Sequence, residues 1–223
     1  MKVKKLVVAF LIITLIPLTT AFAQRRAGSW SLGGFAGTGT PMAPEFFKDY
    51  WNSGVGFGGE FIYNLSSRIS VGARFQHLPF PLDQDEILAE LPIPADASLT
   101  IEGGNIKANI FSANILAYLT SPESLVGFYV IGGASLYQLS SDDVTMTMEY
   151  LGQTYSETQE GEEMDDKFGI NGGAGIEINA GGMFNVFAEG KYHYRFGKEE
   201  GPTDAEPGSI NIFSLIGGVR LIF

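Results

Sequence analysis

The sequence contains no cysteine. That absence excludes disulfide frameworks, thiolate metal sites and cysteine nucleophiles together. Only two histidines are present, His77 and His193, which leaves little for acid–base chemistry. After residue 23 there is no run of 18 apolar residues, so no transmembrane helix is available there. Basic residues are scarce too: setting aside three lysines near the start leaves 11 against 25 acidic side chains, a net charge near −14. With no basic patch to neutralise phosphates, nucleic acid is not an expected partner.

The first 23 residues have the composition of a secretory signal peptide. Lys2, Lys4 and Lys5 precede an apolar run from Leu6 to Leu18, and Ala21-Phe22-Ala23 supplies a small-residue cleavage site before Gln24. The expected division is residues 1–23 as signal peptide and 24–223 as one exported domain. Lacking disulfides and helical spans, that domain must hold itself together by hydrogen-bonded sheet and burial.

Acid is missing from long stretches of it. Two acidic residues fall between 38 and 53, six between 79 and 103, nine between 138 and 166 and four between 197 and 208. The segments between them hold only Glu60, Glu123, Glu177 and Glu189. A soluble domain spreads charge over every exposed strand face, and these strands carry almost none.

What those segments do carry is alternation, the period-two signature of strands. It runs through 27–37, 54–65, 68–78, about 104–119, 125–139, 167–179, 183–196 and 209–223. In 54–65, Val55, Phe57, Phe61, Tyr63 and Leu65 oppose Gly56, Gly58, Glu60 and Asn64. In 183–196, Phe184, Val186, Ala188, Tyr192, Tyr194 and Phe196 oppose Asn185, Glu189, Lys191, His193 and Arg195. The fourth segment is ambiguous in phase: Lys107 and Asn109 share one face while Ser112 and Asn114 share the other, so a bulge is expected between them. The long break from 79 to 103 holds LDQDEILAEL, which suits a short amphipathic helix. Val144, Met146 and Met148 alternate with threonines before Leu151-Gly152-Gln153 and Thr154 to Thr158, a hairpin that extends the fifth and sixth strands.

Eight strands, joined alternately by three short turns and four long breaks, fit an all-β, antiparallel, up-and-down transmembrane barrel, closed because lipid leaves no water for an open sheet edge. The charged face then points inward. A soluble barrel of lipocalin type would need the reverse, leaving Glu60, Arg74, Glu189, Lys191 and Arg220 outside.

The last strand, SINIFSLIGGVRLIF, places Phe213, Leu215, Val219, Leu221 and Phe223 on one face and ends on an aromatic residue with no tail. Together with the Ala21-Phe22-Ala23 site, the eight-strand pattern and Tyr192, Tyr194 and Phe196, it makes the chain resemble the small eight-stranded outer-membrane barrels, the OmpA/OmpX-type and OmpW-like group. The resemblance implies insertion by the outer-membrane assembly machinery with Phe223 as assembly signal, periplasmic termini, external loops, contact with membrane lipids and lipopolysaccharide, and a monomeric state. The chain is expected to depart from longer members in one respect, having no peptidoglycan-binding domain after Phe223.

Eight strands enclose a lumen just wide enough for side chains to fill. Its expected charged members are Glu60, Arg74, Lys167, Glu177, Glu189, Lys191, Arg195 and Arg220, with Glu60 and Arg74 meeting across the Ser66-Ser67 turn and His193 near the outer rim. They either neutralise one another or form a gate for small ions. A lipid-modifying enzyme would need a histidine beside a serine or acid, and His193 has only Tyr192 and Tyr194 as sequence neighbours, so no catalysis and no cofactor are expected. Glu160, Glu162, Glu163, Asp165 and Asp166 are a candidate site for Ca²⁺ or Mg²⁺, but their spacing matches no defined ion-binding loop and reads more simply as a solvated charge run. Phe46, Phe47, Tyr50 and Trp51 are candidates for loop binding or an aromatic girdle. Gly172-Gly173 and Gly217-Gly218 lie inside strands and are not phosphate loops. The functional expectation is a structural or surface-interaction role, the alternative a narrow conduit for ions or small apolar solutes.

Overall fold

The computed structural model describes residues 25–94, 96–180, 183–197 and 208–223. The expected signal peptide and the four acids between 197 and 208 lie outside the described residues. In chain order the strands are β1 (Trp30–Ala43), β2 (Gly54–Asn64), β3 (Ile69–Phe80), β4 (Ala97–Gly103), β5 (Ile106–Tyr118), β6 (Val126–Ser141), β7 (Val144–Tyr150), β8 (Gln153–Gln159), β9 (Lys167–Asn179), β10 (Phe184–Arg195) and β11 (Ile210–Ile222). Two short helices accompany them, α1 (Glu45–Tyr50) and α2 (Gln84–Glu90). Eight strands close a barrel in the order β1-β11-β10-β9-β6-β5-β3-β2, and the other three form a separate sheet, β4-β7-β8.

The alternation works as the sequence implies over most of the wall. Outward positions include Val55, Phe128, Val130 and Leu215, all exposed, while their chain neighbours are buried. Such a belt is the outer surface a hydrocarbon layer requires. At the short-turn end the Trp30 ring stacks on Phe223 at 4.3 Å and lies 6.1 Å from Phe61.

One strand, β5, departs from the expected phase. β5 carries no bulge: its register is unbroken against both β3 and β6. Lys107 and Asn109 face outward and Ser112 and Asn114 inward in one continuous alternation. What changes is the surroundings. On β3, β5, β6 and β9 the directly paired row Phe75, Phe111, Leu136 and Phe168 is the last apolar row outside. The next row is His77, Asn109 and Gln138, with His77 Nδ1 2.8 Å from Asn109 Oδ1 and Gln138 Nε2 donating to Asp166 at 3.0 Å. At the same height the interior turns apolar, with Leu78, Phe80, Ile106, Ala108, Ile110, Leu139, Ile210 and Ile212 buried together. Below the boundary the wall is apolar outside, and charged residues share the interior with two small apolar clusters, Ile62, Leu116 and Ile131 in one and Phe35, Phe187 and Ile216 in the other; above it, on the β3, β5 and β6 side, polar residues move outside and the interior becomes wholly apolar.

Several strands also pass this boundary further than their sequence suggests. β1 runs to Ala43, not to the break after Gly37, because Gly39 leaves space for Leu78 and Phe80 and Pro41 sits beside the register shift against β11. β3 reaches Phe80 and β6 reaches Ser141. The β7–β8 hairpin does extend β6 and β9: Tyr137 opposes Lys167 but Ser140 opposes Glu163, an offset of one residue on the returning side. The sequence pattern did not reveal β4, which extends β5 and pairs with β7 in the register already set by β5 and β6. Ladder bonds cross the bend, from Gly104 N–H to Asp143 O at 3.0 Å and from Asp142 N–H to Asn105 O at 2.9 Å. Gly103 and Gly104 make that bend at φ of 85° and 71°, a region costly for any residue with a Cβ.

Between β1 and β2, α1 folds over the long-loop end and drops Phe47 into the apolar upper interior, against Phe80 at 5.3 Å and Trp51 at 5.8 Å. Phe46 stays exposed at the edge of Trp51, whose Nε1 donates to Gly104 O at 3.0 Å. Asp83 caps α2 by accepting from Glu86 N–H at 3.3 Å. Tyr50 donates to Glu90 at 2.6 Å, tying the helices together, and that carboxylate raises the phenol above its ordinary pKa.

Candidate functional site

Inward positions on β2, β3, β9, β10 and β11 bring the charged residues into one connected ladder. Glu60 and Arg74 are directly opposed on β2 and β3, and Arg74 Nη2 donates to Glu60 at 2.6 Å. Arg74 also crosses the lumen to Glu189 on β10, with Nη2 3.1 Å from its Oε2. Arg220 on β11 donates through Nε to Glu60 and through Nη1 to Glu177 on β9 at 2.6 Å. Glu177 further accepts from Asn185 at 2.9 Å and from Arg25 at 3.2 Å. Lys191 Nζ lies 3.4 Å from Glu189 Oε1. Carboxylates thus alternate with cations from Arg25 to Lys191, and every member is buried.

Arg25 lies before the first strand and could not be assigned to a face from alternation. Its guanidinium sits 3.6 Å over the Tyr118 ring and closes the ladder at the short-turn end. Tyr129 donates to Glu189 at 3.1 Å, and Arg220 stacks 4.0 Å from the Phe187 ring. Each carboxylate meets more than one donor, which is what a buried charge needs to offset its lost hydration.

Above the ladder, His193 departs from its expected place at the rim. It is buried, with Nε2 3.2 Å from Ser214 Oγ and Nδ1 3.3 Å from Tyr137 OH. Ser214 was hidden from sequence proximity because it comes from the next strand, directly opposite Lys191. Both His193 and Ser214 are sealed between the ladder and the apolar cap. Lys167 lies at the long-loop end of β9, 3.7 Å from Asp165, and Arg195 Nη2 donates to Asp165 O at 3.1 Å.

The acids from 160 to 166 are placed differently. Glu160, Glu162, Glu163, Asp165 and Asp166 are strung along an exposed segment, and no metal-holding group of three acidic or histidine side chains exists among the described residues. The loop aromatics divide: Phe47 and Trp51 pack into the cap, while Phe46 remains at the surface.

The sequence matches no family model and no curated protein. Solved structures do resemble the fold. The Neisserial surface protein A barrel aligns with a TM-score of 0.53 at 14% identity, over 88% of this chain and 98% of that one. The N-terminal barrel domain of Pseudomonas aeruginosa OprF aligns with a TM-score of 0.50 at 12% identity, over the same shares. The fold is that of the small eight-stranded outer-membrane barrels.

Proposed function

We propose that residues 24–223 form an integral barrel of the bacterial outer membrane with a sealed interior, acting as a structural and surface-interaction protein and not as an enzyme. Short turns and both termini lie in the periplasm; the caps and the β4-β7-β8 sheet lie outside the cell. Lipid and lipopolysaccharide contact the belt, and the closed wall, having no free edge, suits a monomer. Assembly depends on the outer-membrane insertion machinery.

The observation that carries this reading is the filled lumen. Arg220, Tyr129 and Tyr137 are each at most 2% exposed, and the cap of Phe47, Leu78 and Phe80 closes the other end. A conduit would need a continuous wet path past Glu60, Arg74 and Glu189. Ser214 and His193 likewise lack a route for substrate.

Planar-bilayer recording of the refolded mature protein tests it. A demonstrably folded barrel should show no steady conductance. Steady conductance altered by Glu60→Ala or Arg74→Ala would make the lumen the functional site and replace this reading with the conduit.

A further inference from the structure

The distal sheet has two unlike faces. Thr100, Thr147 and Ser156 line one row of the first, and Glu102, Thr145 and Thr158 line the next. Its hydroxyls satisfy one another, Thr145 to Thr158 at 3.0 Å and Thr147 to Ser156 at 3.1 Å. The second face carries Leu99, Met148 and Tyr155 in one row and Ile101, Met146 and Glu157 in the next. Ile101 is covered, but Met146, Met148 and Tyr155 remain 46%, 40% and 55% exposed. Lipid explains exposed apolar residues on the barrel wall. It does not explain these, which stand beyond the polar row of His77, Asn109 and Gln138.

The charge around this face has one sign. Of the acids on β4, β7 and β8, Glu157 lies on this face and Glu102 and Glu149 on the other; the three strands hold no basic residue, and the chain continues into Glu160, Glu162 and Glu163. The nearest lysine along β5, Lys107, is already paired with Asp142. A second copy would therefore bring acid against acid. The geometry points to a partner of opposite charge, and its dimensions suit a helix. Three strands span about 10 Å, roughly the diameter of one α-helix. Seven residues of strand run about 23 Å, which about 15 helical residues cover. Methionine adds a surface that adapts to different apolar partners.

We propose that the Leu99, Met146, Met148 and Tyr155 face docks a cationic amphipathic helix of another polypeptide, its apolar stripe on the methionines and Tyr155 and its basic side chains reaching Glu157 and the neighbouring acids. This rests on the reading that the long-loop end faces the cell exterior.

The test uses the mature protein in nanodiscs of zwitterionic lipid, with empty nanodiscs as baseline, and a labelled 15-residue amphipathic peptide of leucine and lysine. The peptide should bind the protein and weaken as salt rises. Binding should fall about tenfold or more in a Met146→Thr, Met148→Thr, Tyr155→Thr variant, which copies the opposite face and leaves the barrel untouched. Equal binding by that variant, or by a leucine–glutamate peptide, overturns the proposal. So does self-association of the protein, or capture of lipopolysaccharide, that the triple variant abolishes while peptide binding is unchanged. Protease cleavage of the distal sheet on intact cells separates the two claims: an uncleaved sheet refutes the orientation, and a cleaved sheet that ignores the peptide refutes only the docking.

Discussion

Glu60 shows how much one position of this barrel carries. It is the shared acceptor of Arg74 and Arg220, so Glu60→Gln leaves two guanidinium groups short of one carboxylate while each keeps another, Glu189 or Glu177. Removing a partner from a buried ion network costs about 3–5 kcal/mol, and a matching drop in the urea stability of the refolded protein is the expected result. Gly175 is a different kind of position. A Cβ there would run into the Tyr129 ring, itself fixed on Glu189, so Gly175→Ala should cost about 1–3 kcal/mol by overpacking, read from the same unfolding curves. The sequence exposes the Glu60–Arg74 pair because a short turn and a two-residue period bring the two opposite. Arg220 and Glu177 are a harder case, since β10 separates their strands and the contact reaches over it, outside any directly paired register. Arg25 belongs to no strand, and no period could place it.

Strands are legible for as long as their surroundings stay the same. β10 alternates because its outer face is apolar and its inner face, Phe187 apart, is polar through the ladder, whereas β5 crosses into a region where both faces change character. Polar residues then shift from one parity to the other with no break in the backbone, which is why Lys107 and Ser112 imitate a bulge. β4 was hidden for a related reason: in ASLTIEG only Leu99 and Ile101 alternate with polar residues, inside a segment otherwise rich in proline and acid. α2 was more visible, its amphipathic run announcing a helix and Asp83 supplying the cap. The cap over the upper interior depends on Phe47, which makes an element-level prediction. Phe47→Ser removes the ring packed on Phe80 and Trp51, a loss of about 3–5 kcal/mol for a buried aromatic. Because that contact holds α1 and not the wall, limited proteolysis should cut within residues 44–53 of the variant while the barrel stays folded. Loss of the whole barrel would mean that the apolar cap is part of its folding core.

Closure is a property of the whole molecule, and it happens between the two strands furthest apart in the chain. β1 and β11 pair continuously from Ser31↔Ile222 to Pro41↔Ile212, and at the short-turn end Phe223 and Trp30 exchange backbone bonds, Phe223 N–H to Trp30 O at 2.8 Å and Trp30 N–H to Phe223 O at 3.2 Å. Phe223 has one observed role, a ring stacked on Trp30 at the seam, and one proposed role, as signal for the insertion machinery, and the two are separable. Phe223→Ala keeps the backbone bonds and deletes the ring. The stacking itself is worth about 0.5–1.5 kcal/mol beyond the area it buries, so purified protein should still refold into lipid with only a modest loss of stability. In cells the same substitution should sharply reduce the folded barrel in the outer membrane, measured as heat-modifiable protein in membrane fractions, because recognition precedes closure and the seam bonds cannot replace it. Equal, small deficits in both settings would make Phe223 a packing residue of the seam and remove its role in assembly. A failure to refold without any machinery would instead mean that the Trp30–Phe223 stack is required to bring the first and last strands into register.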